Sequence, residues 1–305
     1  MLAPIILFVY NRPWHTEQTV EALKMNELVS KSDFFIFSDG SKAKNDENVE
    51  KVREYIKTID GFKSVTIIER EKNFGLANSV ISGVTDVVNR YGKVIVLEDD
   101  VVTSQNFLEF INEALFKYEG AERVYSISGY NVPMDVPVEY KEDVFLTHRY
   151  SSQGWGTWKD RWKEADWSVE NWEEVFSKKE INNLFRRGGD DLPYILKAQM
   201  NGTLNSWAIR WYYSHFRKNR FTIFPIKSLV ENIGFDGTGV HCGNAENSLN
   251  KPVIIDPKLK IRLPEKIEFN KEINNLFVAH YKYGLKDRLR RFIKESIRYK
   301  INKSE

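Results

Sequence analysis

The sequence contains very little cysteine, with Cys242 the only one in 305 residues. A single thiol excludes an internal disulfide framework and any zinc site built on several cysteines, and it suits a reducing, cytoplasmic compartment. The chain also lacks an excess of either charge, because 45 Lys and Arg residues stand against 43 Asp and Glu residues. Without a global basic field, we expect no nucleic-acid partner.

Long hydrophobic runs, internal repeats and low-complexity segments are absent as well. The N-terminal stretch MLAPIILFVYNRPW has an apolar core of about seven residues, too short for a membrane anchor. No basic region precedes this core, and Asn-Arg-Pro follows it directly, which does not match a signal peptide. The stretch therefore predicts a first β-strand.

The first part of the chain alternates regularly between strand and helix patterns. Apolar, β-branched runs predict strands at 4–10, 33–38, 64–69 and 94–97, and 3.6-residue periodicity predicts helices at 16–28, 45–58, 73–90 and 107–118. Strict alternation of this kind predicts a parallel sheet covered by helices on both faces.

Polar residues follow each predicted strand. Asn11 and Arg12 follow the first, Asp39 the second, residues 70–73 the third and residues 98–100 the fourth. In open parallel sheets, ligands bind at the carboxyl ends of the strands. Loops are polar in any case, so a single position carries little weight, but four converging strand ends predict a binding site.

Three consecutive carboxylates, Glu98, Asp99 and Asp100, end the predicted buried strand 94–97. Capping of the following helix needs one acidic residue at most, whereas three adjacent charges at a buried strand end repel one another. A divalent cation relieves that repulsion, and oxygen ligands favour Mg²⁺ or Mn²⁺. The triplet thus predicts a metal site completed by substrate phosphate.

Four segments resemble inverting GT-A glycosyltransferases similar to N-acetylglucosaminyltransferase I and the family 2-like enzymes: PIILFVYNRP, FFIFSDGS, REKNFGLANSVISGV and VIVLEDDVVTSQNFLEFINEAL. The resemblance covers residues 3–115 well and is patchy to 245. It implies a Rossmann-like α/β fold with a mixed, mostly parallel sheet flanked by helices. The expected parts are a nucleotide-sugar-binding half at 1–120, an acceptor-binding and catalytic half at 121–265, and a helical tail at 266–305.

The resemblance also implies roles for the acidic triplet. Asp100 would bind the Mn²⁺ or Mg²⁺ that bridges the donor diphosphate, Asp99 would face the ribose, and Glu98 would face the donor sugar. A metal at the diphosphate stabilises the leaving group without proton transfer.

Further donor contacts are implied outside the triplet. Asp39 would accept a hydrogen bond from the base, Arg12 would lie near the base or a phosphate, and Asn73 would begin the helix at the donor site. The activity implied is transfer of a hexosyl or N-acetylhexosaminyl group, with inversion, from a donor that we expect to be UDP-linked to a glycan or lipid-linked glycan.

An inverting enzyme needs a base for the acceptor hydroxyl, normally a carboxylate. The segment RRGGDDLPYILKAQMNG resembles the base-bearing segment and makes Asp191 the candidate. An alternative register puts Asn205 there, whose amide cannot take up a proton. Asp191 could also be an N-cap on a surface helix. Glu231 and Asp236 are the next candidates.

Tryptophan is concentrated in YSSQGWGTWKDRWKEADWSVENW. Gly154 and Gly156 flank Trp155 and indicate a loop that presents flat apolar faces. Flat faces suit sugar rings, so Trp155 and Trp158 are predicted to bind the acceptor. Core filling is the alternative.

Two C-terminal segments carry further predictions. The glycine-rich ENIGFDGTGVHCG is typical of a lid whose His241 could close onto the metal or diphosphate. From Tyr283 onward, a basic amphipathic pattern predicts a helix that either contacts an anionic membrane surface or packs on the catalytic domain.

Two other function classes stay open. A sugar nucleotidyltransferase would carry a glycine-rich loop directly after the first strand, but YNRPWHTE has no glycine. A non-catalytic carbohydrate-binding protein would explain the tryptophans but not the carboxylates.

Overall fold

The computed structural model of the chain describes residues 1–43, 46–237, 255–256 and 258–282. The strands are β1 (Ile5–Val9), β2 (Asp33–Ser38), β3 (Ser64–Glu69), β4 (Lys93–Glu98), β5 (Val101–Thr103), β6 (Val124–Ser128), β7 (Val144–Thr147), β8 (Trp155–Trp158), β9 (Phe221–Pro225) and β10 (Val230–Asn232). The helices are α1 (Pro13–Lys24), α2 (Glu47–Ile56), α3 (Leu76–Tyr91), α4 (Phe107–Lys117), α5 (Lys159–Lys163), α6 (Glu174–Ser177), α7 (Lys179–Phe185), α8 (Leu192–Met200), α9 (Trp207–Arg217) and α10 (Lys271–Ala279).

Eight strands form one mixed sheet in the order β3-β2-β1-β4-β8-β6-β9-β7. β7 and β8 run antiparallel to their neighbours, and the other pairings are parallel. The expectation of a mixed, mostly parallel sheet flanked by helices is confirmed. The predicted halves 1–120 and 121–265 contribute to the same sheet, and the division itself stays a prediction.

The strands that follow β1 are added first on one side of it and then on the other. The chain runs outward from β1 to β2 and β3 and then returns to β4, on the other side of β1, so that Ile5 pairs with Phe34 on one side and with Ile95 on the other. This arrangement makes the β1/β4 boundary a topological switch point, where the carboxyl ends of the strands leave a crevice.

Alternate side chains of the strands feed two apolar cores, one on each face of the sheet. Leu7 of β1 packs in the first core and Phe8 in the second. Such two-sided burial explains why the central strands are continuous apolar runs rather than alternating ones.

The tryptophans of β8 pack into the two cores, Trp155 into the second and Trp158 into the first, so the expectation of a sugar-binding loop at these residues is wrong. Both residues lie in β8 and are 0% and 1% exposed. A Cβ on Gly156 would come within 2.9 Å of Ile111 Cγ2, so this glycine allows α4 to pack closely on β8. Core filling, the alternative, describes these two tryptophans.

His241 and the basic tail from Tyr283 onward lie outside the described residues, so the predictions on them stay predictions. Within the described part, no helix has the length and apolar character needed to cross a membrane.

Candidate functional site

A cavity of about 550 Å³ opens at the carboxyl ends of β1, β2 and β4, at the topological switch point. Six of the residues predicted from the sequence line it: Arg12, Asp39, Asn73, Glu98, Asp99 and Asp100. The loop between α8 and α9 closes the opposite wall with Thr203, Leu204 and Asn205.

Arg12 links β1 to the acidic triplet. Pro13 occupies the first position of α1, where its fixed φ and missing N–H are tolerated, and Arg12 is the residue that precedes the helix. Its guanidinium forms an ion pair with Asp99 through Nη2 and donates from the same nitrogen to Asp100 Oδ2 at 2.9 Å. Among the described residues, nothing accepts a hydrogen bond from its buried Nη1.

The triplet carries more negative charge than Arg12 neutralises. Burial, together with repulsion from Asp100 and Asp99, raises the pKa of Glu98. Burial also raises the pKa of Asp99, against the opposing effect of Arg12. Burial acts to lower the pKa of Arg12, but its ion pairs with both aspartates raise it overall. The site is therefore electrostatically prepared to accept a further positive charge.

Aromatic side chains of the second core pack next to Glu98. The Trp207 side chain lies close enough to Glu98 to act as a donor that lowers the pKa of this carboxyl, against the larger effect of burial. Trp207 stacks on Trp155, with ring centroids 5.3 Å apart, and packs edge-on against Tyr150 at 5.7 Å. The tryptophans of this region thus pack beneath Glu98 instead of presenting their faces to a ligand.

Asp39 accepts hydrogen bonds from the backbone of the loop that precedes α3. Its Oδ1 accepts from the backbone N–H groups of Gly40 at 3.0 Å and Phe74 at 2.8 Å, and its Oδ2 accepts from that of Gly75 at 2.9 Å. Asn73 reinforces the contact by donating from Nδ2 to the carbonyl of Gly40 at 2.7 Å. Both residues therefore bind the protein's own backbone at the cavity wall.

The segment after β10 closes on the triplet. β10 pairs antiparallel with β5, and the N–H of Ile233 donates to the carbonyl of Asp100 at 2.9 Å. A Cβ on Gly234 would come within 2.2 Å of Asp100 Oδ2, so only glycine allows this close approach. Farther along, Asp236 contacts His15 of α1, with Nε2 and Oδ2 3.1 Å apart. The described start of the predicted lid thus contacts the predicted metal site.

Asp191 lies in a second, smaller cavity of about 290 Å³. It directly precedes α8 but makes no capping hydrogen bond, and it is 7% exposed, so it is not a cap on a surface helix. Arg149 binds both of its carboxylate oxygens, from Nη1 at 2.9 Å and Nη2 at 2.7 Å. An acceptor hydroxyl would have to share or displace Arg149 to reach Asp191.

The two cavities meet across the segment that leads into α9. Asn205 lines the first cavity, and Ser206 lines the second. The nearby charge of Glu98 adds to burial in raising the pKa of Tyr150, which lines the second cavity, so the triplet lies close to both. Within the described residues, Tyr150 Oη and Gln153 Oε1 are buried without hydrogen-bond partners. Unpaired polar atoms of this kind are available to a ligand.

Comparison with known proteins gives likenesses in fold only. No protein-family model and no curated protein matches the chain. The chain is similar to the mannosyltransferase PcManGT from Pyrobaculum calidifontis in complex with GDP-Man and Mn²⁺, at 14% identity and a TM-score of 0.37, over 52% of this chain and 44% of that one. It is also similar to S. aureus TarS 1-349, at 12% identity and a TM-score of 0.40, over 75% and 60%. An active-site mutant of LgtC matches at 11% identity and a TM-score of 0.37, over 58% and 65%.

This chain covers less than two thirds of the length of each of these three structures. The matches agree in fold with the predicted resemblance to GT-A glycosyltransferases. At such low similarity they carry no argument about activity, which has to come from the site.

Several site residues were not found from the sequence. Trp207 and Arg149 contact Glu98 and Asp191 from segments more than 40 positions away, and no local pattern signals such pairs. Gly234 belongs to the glycine-rich segment predicted to be a lid, but its close approach to Asp100 is what requires glycine.

Proposed function

We propose that the chain is a metal-dependent glycosyltransferase that moves a sugar from a nucleotide-sugar donor, UDP-linked, to a hydroxyl of a glycan or lipid-linked glycan with inversion. The observation that carries the proposal is the carboxylate triplet at the switch point, which faces a cavity of about 550 Å³ together with a single arginine. Neither helix capping nor core packing accounts for three such charges at one buried strand end.

The cavity has the features that a nucleotide donor requires. A carboxylate offers about four lone-pair sites, and Asp39 uses three of them on backbone N–H groups. One site is left for the single ring N–H of a uracil. Lys42 and the unpaired Nη1 of Arg12 supply positive charge for a diphosphate.

The residues present fit a divalent cation bound through one protein carboxylate. Among the described residues, no three His, Cys, Asp or Glu side chains are grouped so that they could bind a metal ion by themselves. Mg²⁺ and Mn²⁺ at nucleotide sites commonly use one or two carboxylates and fill the other positions with water and phosphate oxygens. Asp100 would hold the ion, which supplies charge neutralisation for the departing diphosphate, and the surplus negative charge around Asp99 favours its binding.

In the proposed reaction, the bond between the anomeric carbon and the diphosphate oxygen breaks while the acceptor oxygen bonds to the opposite face of that carbon. The acceptor proton passes to a protein base, and the nucleoside diphosphate leaves. Arg12 orients Asp99 and Asp100 throughout. Glu98, which lies beside Trp207, would bind hydroxyl groups of the donor sugar.

The second cavity, lined by Arg149, Tyr150, Gln153 and Asp191, is the proposed acceptor side. Its buried, unpaired Tyr150 hydroxyl and Gln153 carbonyl are suited to sugar hydroxyl groups. Asp191 is the proposed base, and it would act after the acceptor displaces Arg149 from one carboxylate oxygen.

A release assay tests the proposal. Purified protein is incubated with Mn²⁺ and a panel of nucleotide sugars and glycan acceptors, and release of nucleoside diphosphate is measured. We expect release with at least one donor, its loss in Asp100→Ala, and a turnover reduced about 10²-fold or more in Asp191→Asn with donor affinity preserved.

Two other outcomes would contradict the proposal. Formation of a nucleotide sugar from a sugar 1-phosphate and a nucleoside triphosphate would identify a nucleotidyltransferase. Binding of glycans without any nucleotide binding would identify a carbohydrate-binding protein.

A further inference from the structure

A third cavity, of about 570 Å³, lies at the edge of the sheet opposite the carboxylate triplet. Phe221, at the start of β9, lines it and pairs with Val124 at the start of β6. The other end of β6, Ser128, pairs with Trp155, which in turn pairs with Val96 near the carboxyl end of β4. With about 3.3 Å per residue along β6, the two edges are roughly 15 Å apart. The cavity is therefore separate from the proposed donor site.

Cationic side chains dominate this cavity, and no carboxylate of the described residues lines it. Its cations are Arg123, Arg186, Arg187, Lys271 and Lys282. Arg186 pairs with Asp190, with Nη1 and Oδ1 3.2 Å apart. The other four form no ion pair with any residue that the structure describes. Four cations from three segments, none paired with a described residue, produce a strong local positive field in a chain whose net charge is only +2.

Aromatic rings in the cavity wall also favour a bound ligand over a solvated surface. Phe269 is 39% exposed and stacks on Phe221, with ring centroids 5.3 Å apart, and His148 lies 4.5 Å from the same ring of Phe221. Burial, then the charges of Arg187 and Arg123, lowers the pKa of His148 to about 4, so the imidazole is neutral at pH 7 and does not add to the repulsion.

A buried amide provides an independent sign of a ligand. Asn274 of α10 is 6% exposed and lines the cavity, and its Oδ1 has no hydrogen-bond partner among the described residues. A buried polar side chain without a partner is uncommon, and an amide can turn to present either a donor or an acceptor. A ligand with both an anionic group and a hydroxyl would satisfy the cations and the amide together.

We propose that this cavity is a second ligand site, which binds a phosphate-bearing group. Three arginines favour phosphate, because guanidinium groups bind its oxygens in a bidentate manner. The flat faces of Phe269 and His148 would pack against the ring or chain attached to the phosphate. The phosphate could belong to a soluble molecule or to a lipid headgroup, and the experiment distinguishes these sources.

Pyrophosphate, in metal-free buffer, is the probe for a soluble phosphate, and isothermal titration at constant ionic strength measures its affinity. We expect binding that becomes about tenfold weaker or more, equivalent to about 1.4 kcal/mol, in the double variant Arg123→Glu/Arg187→Glu. Lys271→Glu should act in the same direction. Lys51→Glu, at an exposed position of α2, is the matched charge control and should bind like the wild type. Lys42→Met, at the proposed donor site, tests whether pyrophosphate binds there instead, and it should leave binding at the second site unchanged because exposed Lys42 lines only the first cavity.

Sedimentation with phosphatidylglycerol vesicles, against phosphatidylcholine vesicles, tests the lipid source with the same variants. Pelleting that the double charge reversal abolishes supports a headgroup phosphate. The proposal is overturned if neither pyrophosphate nor anionic vesicles bind, if NaCl in place of pyrophosphate gives the same heat of binding, or if Lys42→Met removes the binding and the double charge reversal does not.

Discussion

Replacing Arg12 by methionine tests the electrostatics of the acidic triplet. Arg12 pairs with both Asp99 and Asp100, and these three side chains are 15%, 8% and 8% exposed. Removing one partner from such a buried pair leaves uncompensated charge and costs about 3–5 kcal/mol. We therefore expect Arg12→Met to unfold at a markedly lower urea concentration than the wild type at pH 8.

The loss should depend on pH in a defined direction. Burial raises the pKa of Glu98 and of Asp99, and removal of Arg12 takes away a charge that lowers both. The folded variant then binds more protons than the unfolded chain, so its stability falls as the pH rises through the raised values. For each extra proton that the folded variant binds, the free energy of unfolding falls by about 1.4 kcal/mol per pH unit. The loss between pH 6 and pH 8 is therefore up to about 2.7 kcal/mol.

Urea unfolding at pH 6 and pH 8 measures both effects. Arg53→Met is the matched control, because the Arg53 side chain is 17% exposed and its nearest carboxylate is Glu69, at 3.9 Å, not the triplet. We expect the control to lose similar stability at both pH values. If Arg12→Met is as stable as the wild type, or is destabilised equally at both pH values, the triplet does not carry the surplus charge that we infer.

Three further predictions concern other residues. Asp39→Asn removes an acceptor from a carboxylate that holds three backbone N–H groups, so it should cost about 1–3 kcal/mol and speed amide exchange in the loop before α3; unchanged exchange would contradict this. Burial lowers the pKa of His215 to about 3, so the wild type should lose about 2 kcal/mol from this residue as the pH falls from 8 to 5, because only the unfolded chain takes up the proton. His215→Phe should flatten the pH profile by that amount, and an unaltered profile would argue against a neutral buried imidazole. Gly234→Ala places a Cβ 2.2 Å from Asp100 Oδ2, so it should weaken metal-dependent nucleotide binding about tenfold or more while leaving the fold intact, and isothermal titration at wild-type affinity would refute the contact.

Much of the first half of the fold could be predicted because its signals are local. The apolar runs before Asp39 and Glu98 predicted β2 and β4 within a residue at each end. Parallel strands bring their carboxyl ends to one edge, so the cluster of Arg12, Asp39 and the triplet followed from strand order and polarity alone.

The second half depends on contacts between distant segments, which local patterns do not encode. Gly154 and Gly156 indicated a loop, but Gly156 is small because α4 packs on β8, and the flanking tryptophans are buried. The segment before α8 predicted a base or a helix cap at Asp191, but it gave no sign of Arg149, 42 positions earlier, which binds both carboxylate oxygens. Only the packed structure reveals that the two cavities meet at the start of α9.

Thermal unfolding of the wild type with a nucleotide-sugar panel, with and without Mn²⁺, tests whether the carboxylate triplet is a metal-dependent donor site. A ligand present at 100 times its Kd for the folded chain stabilises that chain by about 2.7 kcal/mol. We expect at least one nucleotide sugar to raise the unfolding temperature only when Mn²⁺ is present, and Asp100→Ala to abolish the shift. If no nucleotide sugar shifts the transition, or if the same shift persists in Asp100→Ala, the carboxylate triplet does not form a metal-dependent donor site.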